Sequence, residues 1–279
     1  MNKYILTNPS EAELASAVQE NLFASFRAMQ VIPGCELVEN TSLNLHDAFP
    51  SNPMFKGVWK TRFSPEETEA KIDEVLNWFE QRGAPSFFWW TDSQTQPLDL
   101  VERLMRRGFD GNLEGDPGMV MNLNDLNEDL PTPSKLNIVQ ATEPKSLEDW
   151  RDAFVEAFEM PVSGGQAWVD ATMSAGLENA PWHMYVGYLD RKPVSTSILF
   201  LGAGVAGVYG VGTIPEARNQ GIGTAMTLKP LREAREQGYH FAVLFSSRLG
   251  YPVYKRLGFR EVACKIGIYI MERDQEKPA

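Results

Sequence analysis

Arg218-Asn-Gln-Gly-Ile-Gly223 lies between an extended run, residues 205–214, and a stretch with helical spacing. No other feature constrains the path of the chain as tightly. Gly221 and Gly223 remove Cβ atoms where the backbone turns from strand to helix, which lets successive amide N–H groups converge on one anion. The partial positive charge of a helix N-terminus acts at the same spot. Arg218 opens the loop with a fork of guanidinium donors suited to orienting it or to meeting a phosphate oxygen. Six such residues describe either a plain structural turn or a pyrophosphate cradle, and the sequence downstream favours the cradle.

Downstream come a strand-like run, residues 241–246, and then Gly250-Tyr-Pro-Val-Tyr-Lys-Arg-Leu-Gly-Phe259. Pro252 suits the first turn of a short helix and Gly258 its left-handed C-terminal cap, which places Tyr254 inside that helix. Residues 260–271 read as a closing strand. In this order and spacing the chain resembles the GNAT superfamily of acyl-CoA N-acyltransferases, whose acetyl-CoA loop runs Arg/Gln-x-x-Gly-x-Gly/Ala and whose later helix commonly ends Tyr-x-x-Leu-Gly-Phe. The resemblance covers residues 136–271: strand 136–140, helix 144–159, strand 183–189, then strands 193–201 and 205–214 as a hairpin across Gly202-Ala-Gly-Val. Ile222, Ala225, Met226 and Leu228 give the next helix its period, and Pro230 is expected to kink or restart it.

The resemblance implies acetyl-CoA as co-substrate, held by Arg218, Asn219, Gln220, Gly221, Ile222, Gly223 and Thr224. It places the thioester beside Val211, Gly212 and Thr213, where a backbone N–H usually serves the tetrahedral oxyanion. Gly210 and Gly212 would ease a bulge, and the fourth and fifth strands would part to admit the pantetheine arm. Tyr254 matches the tyrosine that commonly acts as general acid on the coenzyme A sulfur; its plainer reading is a packing aromatic. Ser247 stands where an asparagine often contacts the pantetheine or pyrophosphate, although a hydroxyl has only one donor.

The implied reaction is direct attack on the thioester by a primary amine of a small molecule or peptide. A lysine-like amine is neutral in only about one molecule in a few thousand at pH 7, so a base or water relay must take its proton. Residues 205–211 carry no carboxylate. Tyr209, Glu156, Glu159 or a chain of waters remain open as the base. His183 and His240 read as structural, Trp168 and Trp182 as acceptor-pocket walls or core aromatics, and residues 159–182 as the acceptor-selecting segment.

At 279 residues the chain exceeds one typical domain. Residues 124–135, polar with two prolines, read as a linker, and the segment before them echoes the segment after. Pro65-Glu66 and Pro215-Glu216 head helices, Gly108-Phe109 and Gly258-Phe259 end them, and both separations are 43 residues. Glu80-Gln-Arg-Gly83 echoes Glu236-Gln-Gly238, and Phe87-Phe-Trp-Trp90 echoes Ala242-Val-Leu-Phe245. From the helix-heading proline to the glycine before the apolar strand, the first copy spans 18 positions and the second 23. The cradle is what the first copy lacks. Ser64-Pro-Glu-Glu-Thr68 puts carboxylates where a pyrophosphate would sit, and Leu104 stands in place of Tyr254. The expected fold is α/β (α+β), two GNAT-like domains, each a mixed, mostly antiparallel sheet flanked by helices: residues 1–130 without the cofactor loop, and residues 136–279 with it.

A net charge of −11 argues against nucleic-acid binding. No apolar run approaches the roughly 20 residues of a membrane span, and Met1 to Ser10 lacks a signal-peptide core. Cys35 and Cys264 are too few for a disulfide framework or a metal site, so no metal and a reducing cytoplasm are expected. Gly202-Ala-Gly-Val-Ala-Gly207 is a literal dinucleotide fingerprint, but strand-like residues follow it where a helix is required. Val31-Ile-Pro-Gly34 reads as a helix stop. A homodimer is compatible with all of this. The competing reading is a non-catalytic acyl-CoA-binding sensor or interaction module.

Overall fold

The computed structural model describes residues 4–48, 53–84 and 86–272. In chain order the elements are α1 Glu11–Ala28, β1 Glu36–Glu39, β2 Asn44–Asp47, β3 Lys56–Trp59, α2 Thr68–Glu80, β4 Phe87–Thr91, α3 Leu100–Arg106, β5 Phe109–Gly111, β6 Asp116–Asn122, β7 Leu136–Gln140, α4 Pro144–Phe158, α5 Val162–Ala175, β8 Trp182–Leu189, β9 Lys192–Gly202, β10 Val205–Thr213, α6 Ile222–Glu236, β11 Phe241–Phe245, α7 Tyr251–Leu257 and β12 Arg260–Met271. They form two units. One takes Met1–Ala28 and Asp116–Cys264, the other Met29–Gly115 and Lys265–Ala279.

The first unit is a mixed sheet in the order β6-β11-β10-β9-β8-β7. Every neighbouring pair is antiparallel except β10 with β11. A parallel pair needs a crossover, and α6 supplies it. Alternation along the strands sends side chains to two cores. Ala206, Val208, Ala242 and Leu244 join Met226, Leu231, Tyr254 and Leu257 of α6 and α7. Val205 and Val243 join Leu14, Ala17 and Val18 of α1. Pro144 opens α4 at the position where a missing amide costs nothing, inside a capping box of Glu143 and Ser146. α6 does not restart at Pro230. It stays one helix, because buried Leu228, Pro230 and Leu231 pack inward and offset the single hydrogen bond that proline removes. In α5, Gly164 and Gly165 blur the helical period of the sequence, yet a Cβ at Gly165 would lie 2.7 Å from Val155 Cγ2, so the glycine serves close packing on α4.

The second unit is a sheet of β1, β2, β3, β4 and the end of β12, with β5 also on β12. β1–β2 and β2–β3 are antiparallel, β3–β4 is parallel with α2 crossing between, and Gly267–Met271 runs antiparallel to β4. Phe79, Phe87, Trp89, Leu100, Leu104, Phe109 and Tyr269 fill its core, with the Phe79 and Phe87 rings stacked 3.9 Å apart. Both units therefore repeat one succession: antiparallel pairs, a parallel pair bridged by a helix, then an antiparallel closing strand. The units do not part at residues 124–135 as the composition suggested. β6 belongs with the C-terminal half and residues 265–271 with the N-terminal half, because strands join sheets by hydrogen bonding that sequence distance does not limit. α1 likewise belongs to the first unit.

Candidate functional site

At the end of β10 the chain passes Asn219 at φ +64 and Gly221 at φ +78 before entering α6. Both are left-handed positions, the second filled by the residue that tolerates it best. A Cβ on Gly221 would also lie 2.6 Å from the Pro131 carbonyl oxygen, whereas one on Gly223, already helical, would meet nothing within 4 Å. Only the first glycine is thus sterically required. α6 begins its own hydrogen bonding with Ala225 N–H to Gly221 O at 3.1 Å. The amides of Asn219 to Thr224 make no hydrogen bond of ordinary geometry among the described residues, so six donors stand unengaged at a helix N-terminus.

Beside them is a pocket of about 470 Å³ lined by Asn219, Gln220, Gly221 and Thr224, by residues 130–133, and by Arg256 of α7. The stretch read as a linker is therefore a wall of the pocket. Arg256 is exposed, and its guanidinium has no partner among the described residues. Its position in the sequence gave no sign of this role, since only the fold brings α7 to the loop. Ile222 points into the core, 1 % exposed. At Arg218, Nε donates to Thr213 O at 3.1 Å and an Nη to Ala157 O at 3.0 Å, tying the end of β10 to the end of α4.

β10 and β11 pair through Ala206–Ala242 and Gly207–Val243. Beyond these pairs β10 continues to Thr213 and β11 to Phe245 without further pairing between them, which leaves an opening edged by Val211, Gly212 and Thr213. The β9–β10 ladder breaks between Tyr209 and Gly212 in a bulge, with Gly210 at φ +55. The Thr196 hydroxyl donates to the Gly210 carbonyl at 2.8 Å. Gly212 accommodates the end of α4: a Cβ there would lie 2.7 Å from the Phe158 ring.

Tyr254 is buried on α7, edge-on to Phe259 at 5.8 Å, and burial pushes its hydroxyl up to about 12. That hydroxyl has no hydrogen-bond partner among the described residues. A Cβ on Gly250 would lie 2.6 Å from Tyr254 Cε2 and 3.4 Å from Ser247 Oγ, so glycine lets all three residues meet. Ser247 Oγ accepts from the Gly250 amide at 3.2 Å, a local bond that shapes the entry to α7. The Tyr209 hydroxyl donates to Asn21 Oδ1 at 2.6 Å, and burial drives its pKa far up. Glu156 lies 3.8 Å from Lys192 and Glu159 3.7 Å from Arg218, both on the surface. Trp182 is buried and donates to Thr172 Oγ1 at 2.8 Å, with Trp168 edge-on at 5.8 Å, a core arrangement. His183 lies 3.1 Å from Gln140. The glycines of residues 202–207 turn the β9–β10 hairpin, with Ala203 and Gly204 at positive φ. Among the described residues no cluster of His, Cys, Asp or Glu could hold a metal, and no helix is long and apolar enough to cross a membrane.

A parallel strand pair parts over a bulge, and a glycine loop with unengaged amides leads into the helix that crosses between the two strands. Residues 139–262 match the acetyltransferase (GNAT) domain family. The chain is 32% identical over 100 residues to a mycothiol acetyltransferase of Saccharomonospora viridis, a match that spans 35% of this chain and only 33% of that relative's length. The fold is similar to a GCN5-related N-acetyltransferase from Kribbella flavida (TM-score 0.66, 18% identity, 92% of this chain and 97% of that one). It is also similar to one from Sphaerobacter thermophilus (TM-score 0.56, 17% identity, 97% and 96%). The match to the acetyltransferase (GNAT) domain family covers residues 139–262, and the two structural likenesses extend over most of the chain as likenesses of fold.

Proposed function

We propose that the first unit transfers the acetyl group of acetyl-CoA to a primary amine of a small molecule or peptide by direct attack. The observation that carries this is the set of unengaged amides from Asn219 to Thr224 beside a pocket that also holds Arg256. Acetyl-CoA supplies the activated thioester. Amides of the loop hold the pyrophosphate, and the edge of β10 from Val211 to Thr213 offers a backbone N–H to the oxyanion. Tyr254 donates a hydrogen bond to the departing sulfur. With its pKa raised to about 12 against about 8.5 for a cysteine-like thiol, it stabilises the sulfur as a donor more readily than it surrenders the proton. A relay of waters serves as base, because Tyr209 is engaged and the two glutamates stand on the surface. The setting proposed is a cytoplasm that keeps Cys35 and Cys264 as free thiols.

The second unit, on this reading, is the degenerate copy. The matching succession of strands supports it, as does α2, which begins with Glu69 in its first turn and no glycine loop before it. Calorimetry with acetyl-CoA tests the cradle, and release of free thiol across a panel of small amines and peptides tests transfer. Tyr254→Phe is expected to slow transfer at unchanged acetyl-CoA affinity. If cofactor binds tightly and no amine releases thiol, the acyl-CoA sensor is the better account.

A further inference from the structure

We infer that Thr196 is a positioning residue for acyl transfer, its hydroxyl holding the Gly210–Val211 peptide so that the Val211 N–H is turned into the opening between β10 and β11. The inference rests on the transferase reading above and assigns the oxyanion donor to one amide.

A trans peptide is planar, so a carbonyl and the N–H that follows it point in opposite directions. Thr196 Oγ1 donates to the Gly210 carbonyl at 2.8 Å, which draws that oxygen toward β9. β9 and β11 flank β10 on opposite sides. The Val211 N–H is therefore aimed away from β9, toward the side on which β11 stops pairing after Gly207–Val243. A regular ladder would fix this orientation unaided, but the ladder is broken here, between Tyr209 and Gly212. Gly210 at φ +55 adds freedom that few other residues have. A bulge peptide flanked by glycine has no intrinsic reason to keep one orientation, and the threonine hydroxyl supplies one. Thr196 is wholly buried opposite Gly212, the far end of the bulge, so the bond is shielded from water.

The bond is specific within its strand. Ser195 and Ser197, on either side and equally buried, have no hydrogen-bond partner for their hydroxyls among the described residues. β9 thus carries three buried hydroxyls in a row, and the middle one is spent on the bulge.

The test compares Thr196→Val, which keeps shape and removes the hydroxyl, with Thr196→Ser, which keeps the hydroxyl, and with Ser197→Ala as control. Acetyl-CoA labelled with carbon-13 at the thioester carbonyl is bound to each, and the carbonyl infrared band is recorded alongside calorimetric affinity. In the wild type, Thr196→Ser and Ser197→Ala the band should fall below that of free acetyl-CoA. In Thr196→Val it should return toward the free position with affinity within about twofold, since one neutral hydrogen bond among many is lost. With an amine found in the screen, kcat should fall about tenfold in Thr196→Val at unchanged KM for acetyl-CoA, and Thr196→Ser should restore it. A Thr196→Val protein with wild-type band and kcat overturns the inference alone. A wild type that does not bind acetyl-CoA overturns the transferase reading and this inference with it. Should Thr196→Val not fold, Thr196→Ala against Thr196→Ser carries the same comparison.

Discussion

The two glycines of the cradle make opposite predictions when each is replaced by alanine. At Gly221, alanine must hold φ +78, which costs an L-residue about 1–2 kcal/mol. Its Cβ would also stand 2.6 Å from the Pro131 oxygen, a backbone atom that must retreat by roughly 0.8 Å to restore van der Waals contact. Relief comes either from displacing the wall at residues 130–133 or from undoing the left-handed turn, and both deform the pocket. Gly221→Ala should lose about 2–3 kcal/mol of stability and weaken acetyl-CoA binding at least about tenfold. At Gly223 the backbone is helical and a Cβ meets nothing within 4 Å. Alanine there gains about 0.5–1 kcal/mol of helix propensity, a rise in Tm of roughly 1–4 °C for a chain of this size, with affinity within about twofold. Gly108→Ala is the control for strain alone, since Gly108 has φ +92 and open space around it. Thermal melts and calorimetry with acetyl-CoA read both quantities. Wild-type affinity in folded Gly221→Ala would refute the cradle.

Three further outcomes follow from the geometry. Asn21 is wholly buried, accepts from Tyr209 at 2.6 Å and donates to the carbonyls of Gly202 at 2.8 Å and Val205 at 3.2 Å. Asn21→Ala strands those groups and should cost about 2–4 kcal/mol in urea unfolding; an unshifted midpoint would remove the clamp from the fold's energetics. Arg256→Ala should weaken acetyl-CoA binding about three- to tenfold at low salt and less at high salt, because an exposed charge is screened. A salt-independent effect would point to lost packing instead. Burial raises the Tyr254 pKa from 10.0 to about 12, so its contribution is whole below pH 10 and is lost as pH climbs toward 12. Over that interval Tyr254→Phe should lose about 2–3 kcal/mol less stability than the wild type, and equal alkaline limbs would contradict the burial.

The parts of this fold that were legible in the sequence are those whose cause is local. Strand β10, the glycine turn, the start of α7 at Tyr251-Pro252 and its cap at Gly258 each carry residues whose backbone preferences act within a few positions, and β12 falls at residues 260–271 as its pattern indicates. The bulge was legible through Gly210 and Gly212 for the same reason. What could not be read is non-local. Nothing in the run 130–133 says that it walls a pocket, because its partner, Gly221, lies some ninety positions away. Nothing in Asn21 says that it reaches Tyr209. Gly207 leaves the space that Asn21 Oδ1 fills, a complementarity that belongs to the pair. Tyr209 reads as a candidate base because chemical type is local, while its engagement is not.

On the proposed duplication, the second unit measures how much an anion site requires beyond its scaffold. It keeps the parallel pair and the crossover helix, yet α2 begins at Thr68 behind Glu67, whose carboxylate accepts from the Ser64 amide at 3.3 Å and puts a negative charge at the helix entry. Glu69 in the first turn adds a second negative charge, itself held by Arg103 at 3.3 Å and Arg107 at 2.8 Å. α6 has no carboxylate in its first turn. The helix dipole is available in both units, and in the second it faces the carboxylate of Glu69 in the first turn. Restoring a cradle there takes the missing loop residues, the removal of two carboxylates and new partners for two arginines. No single substitution does this, which is why the cofactor chemistry is assigned to the first unit alone.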